Sequence, residues 1–166
     1  MYHTLDEFLQ DWVFESESTL HLFKNLTDGS LKFKPNDNVR SAGRLAWHIT
    51  LSMSEMISRT GLSIGTIDRN EPVPEQAERI YLTYADLSAA LTAAVRQQWN
   101  DDSLDEEISM FGENWQKRKV LASLIKHQIH HRGQLTIVMR QAGLKVAGVY
   151  GPSFEEWASM GMKPME

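Results

Sequence analysis

Apolar residues near the start of the chain recur at helical spacing. Leu5, Phe8, Leu9, Trp12, Leu20, Phe23 and Leu26 fall on one face of a 3.6-residue repeat. Thr4 precedes them with Glu7 three residues on, the pattern of a capping box, and Asp28-Gly29-Ser30 ends the run. Residues 31–40 form a connector marked by Pro35, Asn36, Asp37 and Asn38. Ser41 then caps a second helix carrying Leu45, His48, Ile49, Ser52, Met56 and Ile57, which stops near Gly61. Residues 65–74 are polar, hold two prolines and read as a long loop. The next stretch supports two readings. Residues 75–82 form a short helix and Thr83 with Asp86 caps a new one, or a single helix runs through Leu87, Leu91, Ala94, Val95 and Trp99. After a break at residues 100–103, a small hairpin turns around Gly112. A fourth helix spans about residues 118–141, roughly 36 Å at a rise of about 1.5 Å per residue, and stops at Gly143. Residues 149–153 turn, and a short last helix over 152–160 uses Phe154 and Trp157 as apolar anchors.

Four amphipathic helices with one apolar stripe each predict an all-α protein, a four-helix bundle. At 166 residues the chain is read as one domain, residues 1–166, with 42% apolar and 23% charged residues, the balance of a folded protein. A net charge of −5 and the lack of a basic stripe argue against nucleic acid as a partner. The densest basic run, Lys117-Arg118-Lys119, reads as a solvated turn. The absence of cysteine excludes disulfides, iron–sulfur clusters, zinc fingers and a cysteine nucleophile. The opening residues lack the features of a signal peptide, and no apolar run approaches the roughly 20 residues of a membrane span. The expectation is therefore a cytoplasmic protein with no membrane partner.

The candidate chemistry lies in the fourth helix. His127 and His131 are four residues apart, one above the other on one face, together with Leu124, Leu135 and Val138. Two neutral imidazoles so placed offer two nitrogen donors to a transition metal. His48, on the second helix with Leu45, Ser52 and Glu55, is the candidate third ligand. If those helices are neighbours, three imidazoles converge and leave open coordination positions, as catalytic sites do. Alternatives remain open at this stage. His48 taken alone reads as a core histidine with one hydrogen bond, and a bare HxxxH also arises by chance. A buried imidazole pair without a metal would still need partners for both rings.

Several chemistries drop out. The residue after His127 is Gln128, where a helical zinc protease needs glutamate as base. The Glu-x-x-His pairs of di-iron bundles, the Gly-x-Ser-x-Gly elbow and glycine-rich phosphate loops are absent. Glu55 reads as a solvated carboxylate, and His130 points about 100° away from His131. His3 and His21 read as surface or boundary residues, and Trp47 as packing. Arg132 and Gln134 flank His131 and either close the site or pair with a neighbouring helix, a mid-helix arginine calling for a carboxylate. Gly133 costs about 1 kcal/mol against alanine in mid-helix and predicts a close helix–helix approach.

The segments Leu45-Ala46-Trp47-His48-Ile49, His127-Gln128-Ile129-His130-His131-Arg132-Gly133-Gln134-Leu135 and Tyr150-Gly151-Pro152-Ser153 together resemble the DinB family, in the wider DinB/YfiT-like superfamily. The likeness extends over nearly the whole chain. It implies an up-down-down-up four-helix bundle and a divalent metal, nickel or zinc, held by His48, His127 and His131. It also implies a homodimer built along helix faces. Members of known activity are metal-dependent transferases or isomerases of low-molecular-weight thiols such as bacillithiol or mycothiol, and many have no established reaction. Three functions follow as expectations. The first is an enzyme, transferring a small thiol or hydrolysing a substrate with water activated at the metal. The second is a non-catalytic bundle stapled by metal, acting as an interaction or stress-response protein. The third is a metal-free bundle whose histidines are core polar residues.

Overall fold

The structure is a computed structural model that describes residues 1–164. Helix α1 spans Leu5–Phe23 and opens on the Thr4–Glu7 capping box. Helix α2, Ala42–Ser58, is capped by the Ser41 side chain. Helix α3, Ala77–Gln98, is continuous. Thr83 does not cap a new helix, because its hydroxyl donates to the Arg79 carbonyl at 2.7 Å and is satisfied inside the turn. A short hairpin, β1 Glu107–Met110 and β2 Glu113–Gln116, pairs antiparallel with Ile108 opposite Trp115. Phe111 and Gly112 both take positive φ at its turn, the twist that two-residue hairpin loops favour. Helix α4, Lys117–Gln141, ends before Gly143, which has φ +76°. A short α5, Phe154–Trp157, runs into a 3₁₀ turn.

Two of the expected details are corrected. Helix α1 stops at Phe23, and Asp28–Ser30 forms its own 3₁₀ turn under a Thr27 cap. Phe154 is not an anchor: it is 63% exposed, while α5 is held by Arg140, whose guanidinium makes two hydrogen bonds to Glu155.

Side-chain pairings across the bundle give the direction of each helix. Leu5 meets Asp101 just beyond α3 and Trp12 meets Ser88, so α1 and α3 are antiparallel. His48 and Ile49 face His131 and Gln128, so α2 and α4 also meet as neighbours. Gln128 bridges Ile49 to Tyr84, and Gly65, beyond α2, lies against Leu87, so α2 and α3 run the same way. The order is up-down-down-up. Its core holds Phe8, Trp12, Phe23, Trp47, Tyr84 and Leu91, all nearly inaccessible, each burial stabilising by roughly 1.5–3 kcal/mol. The connector into α2 crosses close to it: a Cβ at Gly43 would sit 2.8 Å from the Leu31 carbonyl oxygen, so only glycine fits there. No helix among the described residues is long and apolar enough to cross a membrane.

Candidate metal centre

The site forms where α2 and α4 pack. On α2, Leu45, Ile49 and Ser52 are buried and turn His48 toward α4. On α4, the rotation is fixed from both sides. Gln128 is fully buried, donates to the Ile49 carbonyl at 3.1 Å and accepts from the Tyr84 hydroxyl at 3.0 Å. This explains glutamine after His127: its amide is both donor and acceptor, which glutamate is not. Arg132 reaches the other way, donating to the Glu15 carbonyl at 2.8 Å and pairing with the Glu15 carboxylate. The expected carboxylate partner of Arg132 is therefore Glu15 of α1.

Between these clamps the three imidazoles meet. His48 Nε2 lies 3.1 Å from His131 Nε2 and 3.1 Å from His127 Nε2. The three donor atoms all lie within 4.8 Å of one another. His131 is buried and the other two are partly buried. The Nδ1 of His131 is 2.8 Å from the Gln134 Oε1, and the Gln134 amide nitrogen is 3.1 Å from His130 Nε2. An amide oxygen only accepts, so His131 carries its proton on Nδ1 and presents a bare lone pair at Nε2. A proton on His48 Nε2 satisfies one neighbour and leaves the other facing no donor. A cation satisfies all three at once. Metal–nitrogen bonds of about 2.0–2.1 Å in tetrahedral geometry place donors roughly 3.3 Å apart, close to the observed spacing. Three neutral nitrogen donors fit a divalent transition metal, and the histidine triad could hold one.

Electrostatics keep the rings neutral. Burial pushes His48 and His127 down to about 4, helped by the charge of His131 and of Arg40. Burial also lowers His131, against the raising effect of its Gln134 hydrogen bond. Neutral rings are the metal-binding form. His130 is exposed, stacks edge-on against His131 at 4.8 Å and lies outside the cluster. Glu55 is partly exposed, with its nearest cation at 4.0 Å in Arg59, and is not part of the cluster either. Trp47 is buried and donates to the Glu71 carbonyl at 3.2 Å, so it packs the core. Gly133 is exposed, and a Cβ there would meet nothing within 4 Å, so the predicted close approach is not made among the described residues.

A cavity of about 640 Å³ opens beside His131. The connector residues Pro35, Asn36, Asn38, Val39 and Arg40 form one wall; Gln134, Ile137, Val138 and Gln141 of α4 form the other. Among the described residues, no carboxylate lines it. Periodicity gives no sign of this cleft or of Arg40, because the connector belongs to no helix and its face is set by where Gly43 lets it cross.

Comparison with known proteins agrees with this fold. The DinB family profile matches residues 1–165. The chain is 42% identical over 163 residues to the uncharacterized protein YrdA of Bacillus subtilis (strain 168), covering 98% of both. It is 27% identical over 128 residues to the uncharacterized protein YjoA of the same organism, covering 75% of this chain and 82% of that one. A crystal structure of a DinB-like protein from Bacillus cereus ATCC 10987 superimposes with a TM-score of 0.87 at 40% identity, over 90% of this chain and all of that one. The crystal structure of YjoA shares the fold, with a TM-score of 0.69 at 21% identity over 88% of this chain and 98% of that one. A bundle in which one histidine of α2 meets two of α4, matched along almost its whole length, makes this chain a member of the DinB family.

Proposed function

We propose that the protein is a metal-dependent enzyme that transfers a low-molecular-weight thiol to an electrophilic substrate, with nickel or zinc held by His48, His127 and His131. The observation that carries this reading is the convergence of three imidazole Nε2 atoms beside an open cleft that no carboxylate lines among the described residues. A divalent metal there would act as a Lewis acid that lowers the pKa of a thiol or water. The chain's own residues supply the rest. Gln134 holds the His131 tautomer, Gln128 and Arg132 hold the register of α4, and the cleft admits a small molecule. Transfer is a substitution: the sulfur bonds to an electrophilic carbon, the leaving group departs with its electron pair, and the thiol proton goes to solvent.

Thiol transfer is favoured over hydrolysis because a thiol, ionising near pH 8.5 even unassisted, needs a far smaller pKa shift at the metal than water does. A metal that only staples helices would need no cleft reaching a ligand, so that reading is weaker. We also propose a homodimer. Ile129, Gly133 and Ile137 lie at four-residue steps along α4, with both isoleucines exposed and none of the described residues within 4 Å of where a Cβ of Gly133 would stand.

The test is metal analysis of untagged protein, followed by turnover of a small thiol with an electrophile. One nickel or zinc per chain, and turnover that stops when the metal is stripped and returns when it is restored, are expected. Equal turnover with and without metal would refute the enzyme reading. Light scattering of the same sample reads the dimer.

A further inference from the structure

We propose that the cleft beside His131 binds the carboxylate of a small acidic molecule through Arg40. This rests on the reading of the three histidines as a metal centre, and it names the kind of molecule brought there: an acid whose carboxylate sits on Arg40 while its reactive end reaches the histidines.

Arg40 ends the connector, one residue before the α2 cap, and lines the cavity together with His131. It is exposed and has no carboxylate partner among the described residues, in a chain whose net charge is −5. Its charge reaches all three imidazoles. With a divalent metal added, this end of the cleft carries strong positive charge, and no acidic residue among the described residues lines it. An incoming anion is therefore both attracted and needed. The side-chain amides of Asn36 and Asn38 on the connector wall and of Gln141 on the α4 wall add neutral donors. Ile137 supplies an apolar surface opposite, and the volume suits a metabolite-sized ligand, not a polymer. A planar guanidinium forks bidentately onto a carboxylate or a phosphate alike; its one positive charge is matched by a single carboxylate, whereas a phosphate carries about −1.5 to −2.

The experiment has two arms, both comparing wild type with Arg40→Ala. The Arg40 side chain makes no hydrogen bond among the described residues, so the variant keeps the fold, which circular dichroism checks. In the first arm, metal-free protein is titrated with succinate and, separately, with inorganic phosphate, following the side-chain amide resonances of Asn36, Asn38 and Gln141. Saturable succinate binding that weakens about 10- to 100-fold in Arg40→Ala is expected, the worth of one charge-assisted contact. Tighter binding of phosphate than succinate, or equal succinate binding by the variant, would overturn the assignment. In the second arm, nickel-loaded protein is titrated with mercaptosuccinate and with 1-thioglycerol, read by absorption of the nickel. Wild type should prefer the acidic thiol at least tenfold, and the preference should collapse toward unity in Arg40→Ala. No preference in wild type would sink the acid inference while leaving the thiol chemistry intact. Failure of both thiols, with succinate binding retained in the first arm, would refute the proposed function and leave the Arg40 site standing.

Discussion

Adjacent residues of α4, His131 and Arg132, enter two polar clusters built to opposite rules. Arg132 faces α1. Its guanidinium donates to the Glu15 carbonyl, to Thr19 at 3.3 Å, to the Tyr150 hydroxyl at 3.0 Å and to the Glu15 carboxylate. Tyr150 in turn donates to Glu15, and burial with that carboxylate pushes its phenol up to about 12. No fully buried side-chain atom of this cluster lacks a hydrogen-bond partner. His131 faces α2, where three imidazole Nε2 atoms meet across 3.1 Å contacts and one proton on His48 cannot serve both neighbours. A closed set of donors and acceptors is a brace and asks for nothing more. A set of facing acceptors is incomplete until a cation arrives. The difference separates structure from chemistry within one turn of helix.

The comparison can be broken most forcefully at the brace. Arg132→Ala strands the Glu15 carboxylate in the interior, at a cost of about 3–5 kcal/mol. Replacing both residues by apolar ones of similar size should recover most of that loss, since the pair itself adds little net stability. Urea unfolding of the three proteins measures it, and an unchanged midpoint for Arg132→Ala would show that the network is not buried as described. The histidine cluster should respond in the opposite way. His48→Ala, His127→Ala and His131→Ala should each abolish stoichiometric metal uptake yet leave the metal-free protein as stable as wild type or more so, because each removes a facing lone pair. A collapse as severe as that of Arg132→Ala in the metal-free state would make the histidines a second brace. A finer cut is Gln134→Ala, which frees the His131 tautomer. Loss of an orienting partner costs about 10- to 100-fold in metal affinity, and the lower end is expected because Gln134 is exposed and water can replace it. Competition with a chelator of known affinity gives the number.

The bundle was legible in the chain because each long helix declares itself locally. The Thr4 box, the Ser41 cap and the stop at Gly143 are all where periodicity and cap chemistry put them. The convergence of His48 with His127 and His131 followed from their stripes once α2 and α4 were taken as neighbours. What stayed hidden is what comes from afar. The first amide of α3 is capped by Asp28 at 2.8 Å, and that of α1 by Asp101 at 2.8 Å. No local signal marks such caps, and without them a false start at Thr83 competes with the true one. The Glu15 partner of Arg132 is 117 positions away, so sequence could call for a carboxylate there without naming it. Gly133 misled for a different reason: its rule is about packing, and a Cβ there would meet none of the described residues within 4 Å.

The smallest effect tests the protonation side of the same contrast. His48 and His127 titrate near 4 in the folded protein, against 6.5 for a free imidazole. Between those values the unfolded chain binds protons that the folded chain refuses. Stability of the metal-free protein must therefore rise with pH across that window. Read downward, the contribution is whole above 6.5 and is lost as pH falls toward 4. The depressed carboxylates of Glu7, Glu113, Glu155 and Glu156 also lose their contribution on acidification, but below their ordinary value of 4.5. Unfolding free energies between pH 7 and pH 5 isolate the histidines. Wild type should lose stability over that interval, and the triple variant His48→Ala, His127→Ala, His131→Ala should lose less. A parallel slope in both proteins would mean that the rings meet protons as freely in the folded state as in the unfolded one. In that case the lone pairs are not held facing one another, and the contrast with the Arg132 brace disappears.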